Sequence, residues 1–244
     1  MSEPRPARSV LIVGTSMAER PHDGVPAYPE LLEERLGARW RIDRLIRGGT
    51  TIEDLAPDAI NAVAAVPDVA VLHVGINDCG PRPLTRRERE WLGRVRPLRL
   101  RARIIRFIHD HRARIIRLRG VKQFTGLAAF ASRIDEVVGR ARAAGTLVVV
   151  LPITRVPATA EIRQPFLNRE ADRYNDALQV VARRHGIRFV EREEILQGLT
   201  PEAAASAQDS VHLGAVAHRR IADVLVDVLE TIEREPVPVR QNSG

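Results

Sequence analysis

Short apolar runs alternate with stretches of helical periodicity along nearly the whole chain, and this alternation limits the fold more than any other feature. The runs are "SVLIV" at Ser9–Val13, "WRIDRLI" at Trp40–Ile46, "VAVLHVG" at Val69–Gly75, "TLVVVL" at Thr146–Leu151 and "IRFVE" at 187–191. Each has the length of a strand. The first, third and fourth are almost entirely apolar, as strands covered on both faces must be. Between them, "PELLEERLG", "TIEDLAPDAINAVAAV", residues 125–144 and "NREADRYNDALQVVARRHG" carry helical spacing. Pro57 is expected to kink or restart the second, while Gly37 and Gly186 sit where helices end. A last helix is predicted over about 215–233, followed by a frayed "PVPVRQNSG" tail. Strands alternating with helices favour an α/β fold with a mostly parallel sheet of five strands and helices on both faces. At 244 residues the chain suits one such domain, 1–244.

The segment from 81 to 122 breaks the alternation. It is crowded with arginine and reads as a helical insertion. Within "RARIIRFIHDHRARIIRLRG", Ile104, Ile108, His111 and Ile115 fall at helical spacing, with Ile105 and Ile116 beside them. That predicts one amphipathic helix with a basic far side. A proline- and threonine-rich loop is expected from 152 to about Gln164.

Composition narrows the function classes. The net charge is +7, arginine supplies nearly all of the positive side, and Lys122 is the single lysine. A basic surface favours anionic partners. With aromatic residues at 4%, stacking platforms for bases are scarce, so nucleic acid is an unfavoured partner. One cysteine, Cys79, excludes an internal disulfide and disfavours a cysteine-based zinc site. The polar start "MSEPRPAR" lacks signal-peptide and twin-arginine form, and no run approaches the roughly 20 apolar residues of a membrane span. The expectation is a cytoplasmic protein without cofactor or metal.

In parallel α/β sheets ligands sit at the carboxyl ends of the strands. Ser16 follows the first run, Gly48 and Gly49 the second, and Asn77 and Asp78 the third. Near the C-terminus, "QDSVHLG" sets Asp209 three residues before His212. That spacing can bring a carboxylate to Nδ1 and leave Nε2 for a serine hydroxyl. Serine is a weak nucleophile at neutral pH and needs such a base. The carboxylate fixes the imidazole tautomer and stabilises the imidazolium. Ser16 N–H, Gly48 N–H and the Asn77 amide would supply an oxyanion hole.

These blocks resemble the SGNH, or GDSL-like, hydrolases, whose motifs carry Ser, Gly, Asn and His in this chain order. "GTS" corresponds to the nucleophile block, "GGTT" to the glycine block, "GIND" to Gly-x-Asn-Asp and "DSVH" to Asp-x-x-His. The resemblance implies a flavodoxin-like three-layer α/β/α fold and metal-free ester hydrolysis. It gives Ser16, Asp209 and His212 as the triad, and Ser16, Gly48 and Asn77 as the oxyanion hole. Two departures stand out: Thr15 where the family has Asp, and the arginine-rich insertion.

The expected activity is a serine esterase acting on an O-acyl ester, such as an acetylated sugar or small metabolite. Lipid-directed (lyso)phospholipase or thioesterase activity, acyl transfer from the same acyl-enzyme and a non-catalytic anion-binding module are the alternatives. The arginine helix is a solvated face, a lid, or a contact for an anionic surface or an acidic carrier protein. His111 and Arg112 could reach a phosphate or carboxylate. His22 and Asp23 are candidate pocket residues. His73 and His218 read as packed structural residues, Cys79 as a packed small one, and Asp78 as a helix N-cap.

Overall fold

Five parallel strands form one sheet: β1 (Arg8–Gly14), β2 (Trp40–Ile46), β3 (Val69–His73), β4 (Leu147–Val150) and β5 (Arg188–Phe189). Their order is β2-β1-β3-β4-β5. This is a computed structural model, and it describes residues 8–19 and 24–234. His22, Asp23 and the tail expected to fray lie outside the described residues.

The apolar runs become the central strands because both of their faces are covered. Val10, Ile12, Val13, Val69, Ala70 and Val71 have no exposed surface. β2 is an edge strand, and beyond the buried Trp40 its positions are half-buried or exposed. β5 is the other edge and is shorter than its apolar run. Val190 N–H still reaches the Val150 carbonyl at 2.9 Å, but Glu191 N–H then turns to the Glu194 carboxylate at 2.7 Å and opens a helix.

Twelve α-helices fill the connections among the described residues: α1 (Tyr28–Leu36), α2 (Ile52–Val63), α3 (Ile76–Cys79), α4 (Arg86–Gly93), α5 (Leu98–Asp110), α6 (Arg112–Arg119), α7 (Leu127–Ala143), α8 (Ala158–Arg163), α9 (Leu167–His185), α10 (Arg192–Leu196), α11 (Pro201–Ala204) and α12 (Ala215–Arg234). Helix α1 packs on α12, and α7 packs on both α2 and α9, giving helical layers on the two faces of the sheet. Strands that are nearly continuous Val, Leu and Ile need this double cover. With the 2-1-3-4-5 order, it is the flavodoxin-like α/β/α arrangement.

Three expectations change. The helix predicted to kink or restart at Pro57 is a single element, α2, and Pro57 lies on its exposed side. The proline- and threonine-rich loop contains the short helix α8. The predicted single helix from 101 to 120 is two, α5 and α6, divided at His111, whose φ of −106° and ψ of 14° are not helical. The division lets α6 bury Ile116 and lets Arg112 Nη2 reach the Pro81 carbonyl at 2.8 Å. Helix α5 buries none of its residues, and Ile105 and Phe107 are exposed. The insertion is closed at its base by an antiparallel bridge between Arg82 and Lys122.

Candidate active site

The end of β1 is held from both sides. Arg47 N–H donates to the Gly14 carbonyl at 3.1 Å, and Thr15 N–H donates to the His73 carbonyl at 3.3 Å. The tip is therefore fastened to the ends of both β2 and β3. Ser16 opens a single 3-10 turn, Ser16–Ala18, that buries Met17 and Ala18 and leaves Ser16 half-buried. Thr15 is fully buried, and its hydroxyl has no hydrogen-bond partner. A carboxylate in that place would need a partner that the hydroxyl does without.

The glycine block divides its work. Gly49 takes a left-handed φ of 72° and makes the turn. Gly48 has no such φ, but a Cβ there would lie 2.7 Å from a carboxylate oxygen of Glu19. The Glu19 carboxylate, the far end of an exposed and flexible side chain, rests against Gly48, so the loop after β1 meets the glycine block there. Glu19 N–H in turn donates to the Ser16 carbonyl at 3.2 Å.

After β3, Gly75 has φ 113°, and a Cβ on it would come within 2.6 Å of Ile153 Cδ1. This sharp turn starts α3, which carries Asn77 and Asp78. The Asn77 Nδ2 is buried and has no hydrogen-bond partner. Its carbonyl accepts from Arg82 Nη2 at 3.3 Å. Asp78 was expected to cap its own helix; instead Gly75 is the N-cap residue of α3, and Asp78 Oδ1 accepts the Ile52 N–H of α2 at 3.0 Å. The carboxylate thus satisfies one of the free N–H groups at the start of α2, across the sheet rim. That bond ties the loop of Gly48 and Gly49 to the helix of Asn77. Burial raises the Asp78 pKa to about 6, against the opposing pull of the Thr125 hydroxyl and the Ile52 N–H.

The fourth block lies in the loop before α12. Asp209 Oδ1 accepts the N–H of Val211 at 2.9 Å and of His212 at 3.0 Å. Its Oδ2 faces Nδ1 of His212 in a short contact. An ionised carboxylate there requires the proton on Nδ1 and leaves Nε2 as the acceptor. The tight turn needs Ser210 at a left-handed φ of 59°, a conformation that costs a non-glycine residue about 1 kcal/mol or more. The loop is fastened by Ser206 N–H to the His212 carbonyl at 2.7 Å and by Gly214 N–H to the Ala204 carbonyl at 2.9 Å. Partial burial raises the Asp209 pKa, but the two backbone N–H groups and the imidazole outweigh it, so the carboxyl stays below the usual range.

A buried ring cluster connects this block to the others. His218 on α12 accepts the Tyr28 N–H on Nδ1 at 3.2 Å, and its ring stacks on Tyr28 at 6.0 Å. Tyr28 is tilted against His73 at 5.6 Å, and His73 pairs with Gly14 in the sheet. Burial, then His218, lowers the His73 pKa to about 3, so His73 is a neutral core residue. The start of α12 is thereby fixed to the same rim as the ends of β1 and β3. Cys79 is fully buried, and burial raises its thiol pKa.

The first three blocks are thus joined by hydrogen bonds, and the Asp209–His212 pair is built on the loop that enters the same end of the sheet. Two residues carried no motif in the sequence: Glu19, whose carboxylate covers Gly48, and Arg82, which holds Asn77. Glu19 lies only three positions beyond Ser16, and Arg82 five beyond Asn77, so proximity was the one available signal. Among the described residues no group of three or more His, Cys, Asp or Glu side chains is placed to hold a metal ion.

Residues 12–220 match the GDSL-like lipase/acylhydrolase family. A lipase/acylhydrolase from Enterococcus faecalis superposes with a TM-score of 0.64 at 14% identity, covering 92% of this chain and 96% of that one. TesA superposes with a TM-score of 0.60 at 18% identity, covering 92% and 99%. A catalytic mutant of Axe2, an acetylxylan esterase from Geobacillus stearothermophilus, gives 0.59 at 18% identity, covering 96% and 97%. No curated protein matches the chain. At these identities the structural likeness shows the fold.

Proposed function

Because the chain belongs to the GDSL-like lipase/acylhydrolase family, an ester-hydrolysing family, we propose that it is a serine esterase with Ser16, His212 and Asp209 as its triad. Ser16 Oγ attacks the ester carbonyl carbon while His212 Nε2 takes the hydroxyl proton. Asp209 holds the tautomer and stabilises the imidazolium. The oxyanion of the tetrahedral intermediate accepts from Ser16 N–H, Gly48 N–H and Asn77 Nδ2. The intermediate collapses, the C–O bond breaks, and His212 returns the proton to the leaving alcohol. Water, with His212 again the base, attacks the acyl-enzyme; its collapse frees the acid and restores the Ser16 hydroxyl.

The observation that carries this reading is the Asp209–His212 unit. Both carboxylate oxygens are used, one on two backbone N–H groups and one on the imidazole. That is more anchoring than a surface ion pair needs, and it supports an imidazole held for a purpose. The Nδ2 of Asn77, which has no hydrogen-bond partner in the folded chain, supports its assignment as an oxyanion donor. An O-acyl ester of a small molecule, such as an acetylated sugar, is the substrate class this reading prefers; an acetylxylan esterase is among the structural neighbours. A lipid ester is favoured instead by the exposed Leu98, Leu100 and Phe107 beside the arginines of α5. Among the described residues no helix is long and apolar enough to cross a membrane; a cytoplasmic location is part of the proposal.

A fluorophosphonate probe tests the nucleophile. Wild-type protein is expected to be labelled covalently, and Ser16→Ala protein is not. An unlabelled, folded wild type would refute the esterase reading. p-Nitrophenyl esters of increasing chain length then separate acetyl from lipid preference.

A further inference from the structure

The insertion forms an open cleft of about 500 Å³ that the proposed chemistry does not use. Arg82, Arg89, Arg101 and Arg112 line it, and no carboxylate does. Leu92, Ile105, Ile108 and Phe124 supply an apolar wall. Acids on neighbouring elements are committed elsewhere: Glu88 to Arg119, and Asp54 and Glu53 to Arg86. Among the described residues none of the four cavity arginines forms an ion pair.

The two inner guanidiniums are held by neutral groups. Arg82 Nη2 donates to the Asn77 carbonyl at 3.3 Å, and its plane lies over Phe124 at 4.5 Å. Arg112 Nη2 donates to the Pro81 carbonyl at 2.8 Å and to Gln164 Oε1 at 3.3 Å. The Nε atoms of Arg82 and Arg112 are buried without any partner. Burial, then the charges of Arg112 and Arg89, lowers the Arg82 pKa to about 10. Asp78 acts on Arg82 in the other direction, from beyond ion-pair distance. Two partly desolvated cations beside an apolar hollow, each with an unsatisfied donor, are costly unless an anion completes them. The hollow meets the catalytic rim at Asn77, the residue that Arg82 grips.

We propose that this cavity is an anion subsite, taking a carboxylate or phosphate carried on a short apolar stem, so that the substrate is an anionic ester. The guanidiniums bind the anionic group and the Leu92–Phe124 wall covers the stem. The word substrate rests on the esterase reading; the affinity for the anion does not.

The test uses the full chain bearing Ser16→Ala, so that binding is read without turnover. Calorimetry at fixed ionic strength compares hexanoate, hexyl phosphate and hexanol. One or both anions are expected to bind at least about tenfold more tightly than hexanol, the scale of a charge-assisted hydrogen bond. Whichever anion binds more tightly identifies carboxylate or phosphate as the group. Arg112→Gln and, independently, the outer Arg89→Gln are each expected to weaken the anion about tenfold. Arg103→Gln and Arg117→Gln, exposed and outside the cavity, leave it unchanged. Equal binding of all three probes, or equal loss from the outside variants, overturns the proposal. Anion binding in a protein whose wild type resists fluorophosphonate upholds the subsite and removes only the esterase reading.

Discussion

Replacing Asn77 with alanine separates a catalytic donor from a structural one. The Nδ2 of Asn77 is buried and donates to nothing in the folded chain, so its removal breaks no hydrogen bond. A buried unsatisfied donor costs about 1–3 kcal/mol, part of which the substitution recovers. The loss of a few packing contacts opposes that gain. The backbone bond from Arg82 to the residue 77 carbonyl survives. Stability is therefore expected to change by less than about 1 kcal/mol, or to rise. Turnover behaves differently. One missing oxyanion donor costs about 100- to 1,000-fold in kcat, or about 2.7–4 kcal/mol. Because the bond is made in the transition state, KM changes by less than about threefold. Urea denaturation and steady-state hydrolysis of p-nitrophenyl acetate supply the two readings. A kcat within about threefold of wild type would refute the oxyanion role. A stability loss above about 2 kcal/mol would show instead that Nδ2 makes a bond in the folded protein.

Thr15→Val removes a hydroxyl that has no partner, keeps the branched shape, and is expected to be neutral or stabilising by up to about 1 kcal/mol, with kcat within a few-fold of wild type; a large fall in kcat would give Thr15 a part in the chemistry. Asp209→Asn presents an N–H to the imidazole or loses the backbone anchors, and kcat for p-nitrophenyl acetate is expected to drop by about 10⁴. The lowered carboxyl stabilises the fold above its unfolded pKa of about 3.9, so the stability gap to this variant closes as pH falls below that value; a gap independent of pH contradicts the ionised pair. Asp78 and His73 act in opposite directions. The raised Asp78 pKa means stability falls as pH rises from about 4 to about 6, whereas the depressed His73 pKa means stability falls as pH drops from about 6.5 towards 3. Asp78→Asn, which keeps an oxygen for the Ile52 N–H, should therefore expose a slope of about 1.4 kcal/mol per pH unit between pH 4 and 6 that wild type hides; identical profiles in denaturant titrations would contradict the raised Asp78 pKa, and a flat variant profile the lowered His73 pKa.

How far the sequence could be read depends on the range of the forces involved. The strands of β1, β3 and β4 were visible because a strand buried on both faces must be apolar at every position. β5 is shorter than "IRFVE" predicts, because the Glu191–Glu194 capping bond pulls the chain aside after Val190. The insertion was read as one rod from its Ile spacing, yet the chain bends at His111 to bury Ile116 and to bring Arg112 to Pro81. Motifs with their own turns were legible. The Asp209–His212 pair closes within one loop, so three-residue spacing was enough to foresee it.

The sequence alone therefore determined the α/β class and the parallel central strands, and it named Ser16, Gly48, Asn77, Asp209 and His212 as the candidate site. The class and strands follow from periodicity, and the Asp209–His212 pair from a bond between near neighbours in the chain. Only the tertiary structure decided that Asp78 caps α2 rather than its own helix, that Glu19 rests on Gly48, and that four arginines share a hollow without a carboxylate. Each of these depends on where a side chain meets an element distant in sequence or on a loop's exact path. Burial and unscreened charge, which give those meetings their energy, exist once the chain has folded around them.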